Sequence, residues 1–187
     1  MKMNKLLLIS TFLLLSINTA WADKYTDTIK IFKDAGQSAS FFKNSYGYAL
    51  FPTIGKAGFG VGGAHGAGRV YEQGKYIGDT TMSQISFGFE PGGHAFSEVI
   101  FFQDKRALNE FISGEFEFGA QASAVAITAG AQASATTTGR SAGTSGGKNN
   151  ANTIGKYSKG MVTFTVAKGG LMYEASVGGQ KFSYKAR

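Results

Sequence analysis

The sequence predicts an α+β domain, mainly antiparallel β-sheet, with an N-terminal amphipathic helix and a short central helix. Three patterns predict it. Ile29, Phe32, Ala35, Ala39 and Phe42 recur at helical spacing, so that they share one face of a helix. Most of the chain beyond Asn44 is short runs of β-type residues, several of them alternating, parted by glycine-containing turns, the pattern of hairpin-linked strands. Between those runs Leu108, Phe111 and Ile112 fall on a second, shorter helical face.

Taken in order, the first helix spans Thr28 to Phe42, with Asp27 placed to cap it and Lys30, Lys33, Asp34 and Gln37 on the opposite arc. Tyr46 to Phe51 then reads as a strand that Pro52 closes. The next segment holds Gly55, Gly58, Gly60, Gly62, Gly63, Gly66 and Gly68. Side-chain packing cannot account for such a tract. Glycine on alternate residues bares one face of a strand, which lets another backbone, a ring or a ligand come close. Strand-like runs follow at Arg69 to Tyr71, Lys75 to Ile77, Gln84 to Phe89 and Ala95 to Phe102, separated by turns at Gln73-Gly74 and Glu90-Pro91-Gly92-Gly93. Asp104 caps the central helix, which Gly114 ends. Phe116 to Thr128 returns to alternation, and Thr136 to Asn152, rich in Thr, Gly, Ser and Asn, reads as a flexible loop. Met161 to Val166, Leu171 to Val177 and Lys181 to Tyr184, with turns at Lys168-Gly169-Gly170 and Gly178-Gly179, form a β-meander signature. A membrane β-barrel is the competing architecture. Its strands need roughly ten residues each, more than these runs offer, and two helices would interrupt it.

Composition bounds the function. With no cysteine among 187 residues, a disulfide framework, a thiolate zinc site, a cysteine hydrolase and an N-terminal lipoprotein anchor are all excluded. Glycine, at 27 residues, stands at roughly twice ordinary usage. Lys2 and Lys5 precede the apolar run Leu6 to Leu15, and Ala20-Trp21-Ala22 supplies small residues where a secretory peptidase cuts. Residues 1–22 therefore read as a cleaved signal peptide and 23–187 as one domain, periplasmic or secreted. Without the two leader lysines, 17 basic side chains face 12 acidic ones, a net of +5. An exported basic protein meets phospholipid head groups, lipopolysaccharide or acidic glycans rather than nucleic acid. Alternatively, that charge serves solubility alone.

Motifs for chemistry are sparse. Gly58-Phe59-Gly60-Val61-Gly62-Gly63 matches the dinucleotide-binding spacing, but no βαβ unit surrounds it. Gly147-Lys148 lacks the hydroxyl residue that a phosphate-binding loop requires. His65, His94 and Glu98 could be imagined around a metal, yet without compact ligand spacing each histidine reads as an isolated residue of a turn or strand. No nucleophile elbow accompanies the serines. The sequence thus points to a non-catalytic protein without cofactor or metal, and a hydrolase using His65 or His94 is the weakest reading.

Tyr48-Ala49-Leu50-Phe51-Pro52-Thr53-Ile54-Gly55-Lys56-Ala57-Gly58-Phe59-Gly60-Val61-Gly62-Gly63, continuing through Gly66, Gly68 and Arg69-Val70-Tyr71, resembles the signature of the SYLF domain. Ser97 to Phe102, Phe118-Gly119-Ala120 and Lys156 to Gly160 fall in the family's order. The chain departs from the family pattern at Glu90, His94 and Tyr76. The resemblance implies a lipid-binding module attached peripherally to anionic phospholipid, with Lys30 and Lys33 on a lipid-facing helix and Lys56 beside the glycines of the signature. On this reading Lys30, Lys33, Lys56, Arg69 and Lys75 supply charge, and Phe32 and Phe59 insert. The alternative is a structural or interaction module that recruits an envelope protein through sheet edges and the 136–152 loop.

Overall fold

A computed structural model describes residues 24–88, 93–120, 122, 124–127, 156–168 and 177–187. The fold is α+β, as the patterning predicts. Its helices are α1 (24–34), α2 (Gly36–Ala39), α3 (Phe41–Asn44) and α4 (Lys105–Ile112). Six described strands, β1 (Gly47–Glu72), β2 (Lys75–Gly88), β3 (His94–Phe102), β4 (Val125–Ile127), β5 (Met161–Lys168) and β6 (Lys181–Ala186), form one sheet in the order β4-β5-β3-β1-β2-β6. All pairings are antiparallel except β4 with β5.

The predicted entry helix is present but broken. It is already helical at residue 24, so Asp27 lies within it and does not start it. Ala35 takes an extended conformation, φ −81° and ψ 102°. Beyond it the Ser38 hydroxyl, buried, donates to the carbonyls of Phe32 and Ala35. A serine that bonds the local backbone in this way competes with helix continuation, and α2 and α3 resume as single turns.

Pro52 does not end its strand. Pairing of β1 with β3 steps from Phe51↔Glu98 to Ile54↔Phe96, so Pro52 sits in a register shift. There its missing N–H costs no ladder bond, and its carbonyl accepts from Ser97 Oγ at 2.8 Å. The strand runs on through the glycine tract and merges with the predicted 69–71 run, while the 75–77 and 84–89 runs merge into β2.

The glycines act as the alternation implies. β1 folds back on itself about Gly60, whose φ is +80°. A Cβ on Gly58 would fall 2.3 Å from Gly62 Cα. Farther out, one on Gly66 would meet Thr53 O at 2.8 Å, and one on Gly68 would meet Leu50 O at 2.7 Å and the Phe51 ring at 2.6 Å. Glycine is required where the two halves of β1 lie against one another. The loop end closes through Gln73 N donating to Tyr46 O. Gln73 and Gly74, at φ 48° and 80° between Glu72↔Lys75, make the predicted two-residue hairpin turn.

Two apolar clusters result. Phe51, Ile54, Val70, Met82, Phe96, Ile100, Phe102 and Phe182 pack with Leu108 and Phe111 of α4. Leu50, Val99, Phe101, Val162, Phe164 and Val166 pack against Tyr25 and Phe32 of α1, with Phe41 and Phe42 of α3 at the margin. Asp104 caps α4 as predicted, accepting from Ala107 N at 2.9 Å. The closing strands depart from a simple meander, since β5 pairs with β3 and β4 while β6 pairs with β2 across the sheet. The predicted 136–152 loop, the Lys168-Gly169-Gly170 turn beyond Lys168 and the 171–177 strand up to Val177 lie outside the described residues, as do residues 1–23. Among the described residues no helix is long and apolar enough to cross a membrane.

Candidate functional site

The hairpin of β1 and β2 gives the molecule two ends. From Gly60 to Glu72 the strand covers twelve residue steps, about 40 Å at the rise of an extended chain. The predicted basic residues divide between these ends.

At the turn end, α1, α3 and the Gln73-Gly74 turn converge. Lys33, Phe42, Lys43, Ser45, Tyr46 and Gln73 help to line a depression of about 380 Å³. The Lys33 ammonium stands 5.5 Å from the Phe42 ring centroid, and Lys75 follows the turn directly, opposite Glu72. Glu72 partly offsets this charge; its carboxylate accepts from Tyr46 Oη at 2.6 Å. Lys30 and Ile31 are exposed on α1, Ile31 at 43%. Lys30 lies one helical turn from Asp27 on one side and Asp34 on the other. The structure thus brings Lys30, Lys33 and Lys75 to one end. It adds Lys43, which sequence reasoning passed over because Lys43 lies beyond the predicted helix.

Arg69 has a different task. Its guanidinium lies 4.1 Å from the Tyr25 ring centroid and 4.8 Å from that of Tyr76, bridging α1 to the sheet through two cation–π contacts. Burial drives the Tyr25 hydroxyl up to about 12, with the Arg69 charge opposing the rise. Tyr48, stacked on Tyr71 with centroids 4.7 Å apart, is likewise pushed up to about 12 by burial and by Tyr71. These phenols are neutral aromatic surface at physiological pH. Tyr25 and Phe32 dock α1 on the sheet. Phe32 itself is 0% exposed; in this fold it is a core residue and does not reach a bilayer.

The other end is the apex of β1. Lys56 pairs with His94 and shares an open depression of about 430 Å³ with His65, Ala64 and Gly93. His65 Nδ1 and Ser83 Oγ are 3.0 Å apart. Phe59 lies on β1, its side chain outside the described ones. Glu98, weighed beside these histidines from sequence, is instead 0% exposed. Its Oε2 accepts from Gln180 Nε2 at 3.0 Å. Burial raises its pKa to about 8, against the opposing effect of that hydrogen bond. Among the described residues no group of three or more potential ligands gathers that could hold a metal.

The chain matches the family model Ysc84, described as Las17-binding protein actin regulator, over residues 83–186. Beta cell expansion factor A of Aeromonas veronii is 27% identical over 172 residues, covering 90% of this chain and 56% of that protein. The chain therefore spans little more than half the length of this relative. The family match begins after the glycine tract, so it includes the Ser97–Phe102, Phe118–Ala120 and Lys156–Gly160 segments but not the Tyr48–Gly63 run.

Proposed function

The chain belongs to the Ysc84 family of SYLF-domain proteins, and from that premise we propose that it is an exported, non-catalytic module that associates peripherally with anionic phospholipid. The observation that carries the reading is the gathering of Lys33, Lys43 and Lys75 around one rigid end, with Lys30 and Ile31 exposed on the adjoining helix. Attraction of about 1 kcal/mol per basic residue near a charged surface makes several lysines acting together sufficient for reversible binding. Docking of α1 fixes their geometry before contact, so little ordering cost is left to binding.

Co-sedimentation with phosphatidylcholine vesicles, with and without phosphatidylglycerol, tests this. Binding is expected only with the anionic lipid, to weaken as salt screens it, and to fall on the order of 100-fold in Lys33→Gln/Lys43→Gln/Lys75→Gln. Equal pelleting with neutral vesicles, indifferent to salt, would reject the mechanism. A protein partner in the envelope is the second reading. The family's description as Las17-binding supports it, as does the edge at β4 among the described strands, since unpaired edge groups can accept a further strand. A pull-down that retains a defined envelope protein, from chain that ignores vesicles, would favour it.

A further inference from the structure

The apex of β1, at the end of the β1–β2 hairpin away from its turn, is apolar where a water-soluble surface would be polar. Val61 is 62% exposed and Ile85 72%. Register pairs Val61 with Phe87 and Gly63 with Ile85, so Val61 and Ile85 are diagonal neighbours on one face of the sheet. The turn end cannot explain them, and neither belongs to an apolar cluster.

The same alternation says which way this face looks. Residues two apart in a strand share a face, which puts Val61, Gly63, His65, Ala67 and Arg69 together. Arg69 on that face meets Tyr25 of α1. The helix carrying Lys30 and Lys33 therefore covers the turn end of the face whose opposite end is Val61 and Ile85. One side of the molecule has a cationic helix at one end and an apolar tip at the other.

Charge selects what that side contacts. Lys56 lies beside the tip, and Lys168, on β5, pairs with Ala95, which in turn pairs with Gly55. Among the described residues of the apex, 55–65, 83–88 and 93–97, there is no carboxylate. The exposed apolar surface among the described residues here, Val61 and Ile85, is small beside the roughly 800 Å² per partner of a stable protein interface. A bilayer requires no matching groove.

We propose that the Val61–Ile85 tip inserts at the boundary between head groups and acyl chains of an anionic bilayer, on the same side of the molecule as the lysines of α1. This rests on the lipid reading above and adds a defined insertion point to it. Because the chain has no cysteine, Ile85→Cys can carry a single environment-sensitive fluorophore, with Asn109→Cys as the control, exposed on α4, which packs on the opposite face of the sheet. The full chain would be expressed in an exporting host, purified as that host leaves it, and mixed with phosphatidylcholine–phosphatidylglycerol vesicles. The label at position 85 is expected to brighten and shift to the blue, and that at 109 to stay as in water. Val61→Asp and Ile85→Asp should each weaken binding roughly tenfold, the worth of one apolar side chain leaving water. Circular dichroism should be unchanged in both, since both sites are exposed.

The outcomes separate the two ideas. If the protein pellets in a lysine-dependent way while the label at 85 stays dark and the aspartates bind normally, insertion of the tip is overturned and the peripheral reading stands. If nothing pellets with anionic vesicles, both fall.

Discussion

Glu98 predicts a pH dependence of stability opposite to that of an ordinary carboxylate. It is wholly buried on β3, and its Oε1 and the Gln180 Oε1 are both without hydrogen-bond partners, while Gln180 Nε2 donates to Glu98 Oε2. One proton on Glu98 Oε1, directed at Gln180 Oε1, would complete an acid–amide pair and satisfy both orphans; an unsatisfied buried polar atom costs about 1–3 kcal/mol. The raised value of about 8, against 4.5 for the free group, means that the folded chain holds a proton the unfolded chain has shed. The associated stability is complete below pH 4.5 and is lost progressively as pH rises to about 8. The rise from 4.5 to about 8 corresponds to about 5 kcal/mol, or about 1.4 kcal/mol per pH unit within that window. Glu98→Gln should remove the slope, because an amide at position 98 can exchange the same two hydrogen bonds with Gln180 at any pH. Urea midpoints at steps from pH 5 to 8 are the assay. Wild type should lose stability steadily, and Glu98→Gln should stay level and be the more stable protein at pH 8. Parallel profiles for the two proteins would refute the reasoning.

Other consequences are checked the same way. Gly68→Ala should destabilise by about 2–3 kcal/mol in urea denaturation, since its methyl group meets the Leu50 carbonyl and the Phe51 ring. Gly60→Ala, with open space around it but φ +80°, should cost only about 1–2 kcal/mol, and Gly60→Asn less. Arg69→Ala should loosen α1, costing about 1–2 kcal/mol and speeding amide exchange in the helix while β3 and β5 remain protected; Arg69→Lys should restore part of the loss.

Much of the fold was legible because short-range signals coincided with the final structure. The Asp104 cap and the Gln73-Gly74 turn each depend on chemistry within a few residues, and the glycine alternation marks a bare strand face whatever comes to cover it. The departures were non-local. Pro52 reads as a stop until β3 supplies a register shift to hold it. The continuous helical face from Ile29 to Phe42 gave no warning that Ser38 would turn its hydroxyl to the Phe32 carbonyl. Nor did local sequence say that β6 would cross the sheet to β2, since both closing strands carry similar alternation. The site was legible in kind but not in place: a charge count identifies lysines, and only the hairpin length decides that Lys56 and Lys75 sit at opposite ends.

That separation follows from one backbone property. A strand of 26 residues would normally present a long flat edge, a hazard for aggregation. Reversal at Gly60 instead lets its first half pair with β3 and its second with β2, so each half is covered along one edge. At the apex the described exposed apolar side chains are Val61 and, across the hairpin, Ile85. Turn-end lysines and apex residues can therefore be varied independently. Charge reversal at Lys33 should change the salt dependence of vesicle binding and leave the blue shift of bound label at 85 intact, whereas Val61→Asp should reduce the shift and leave the salt dependence in place.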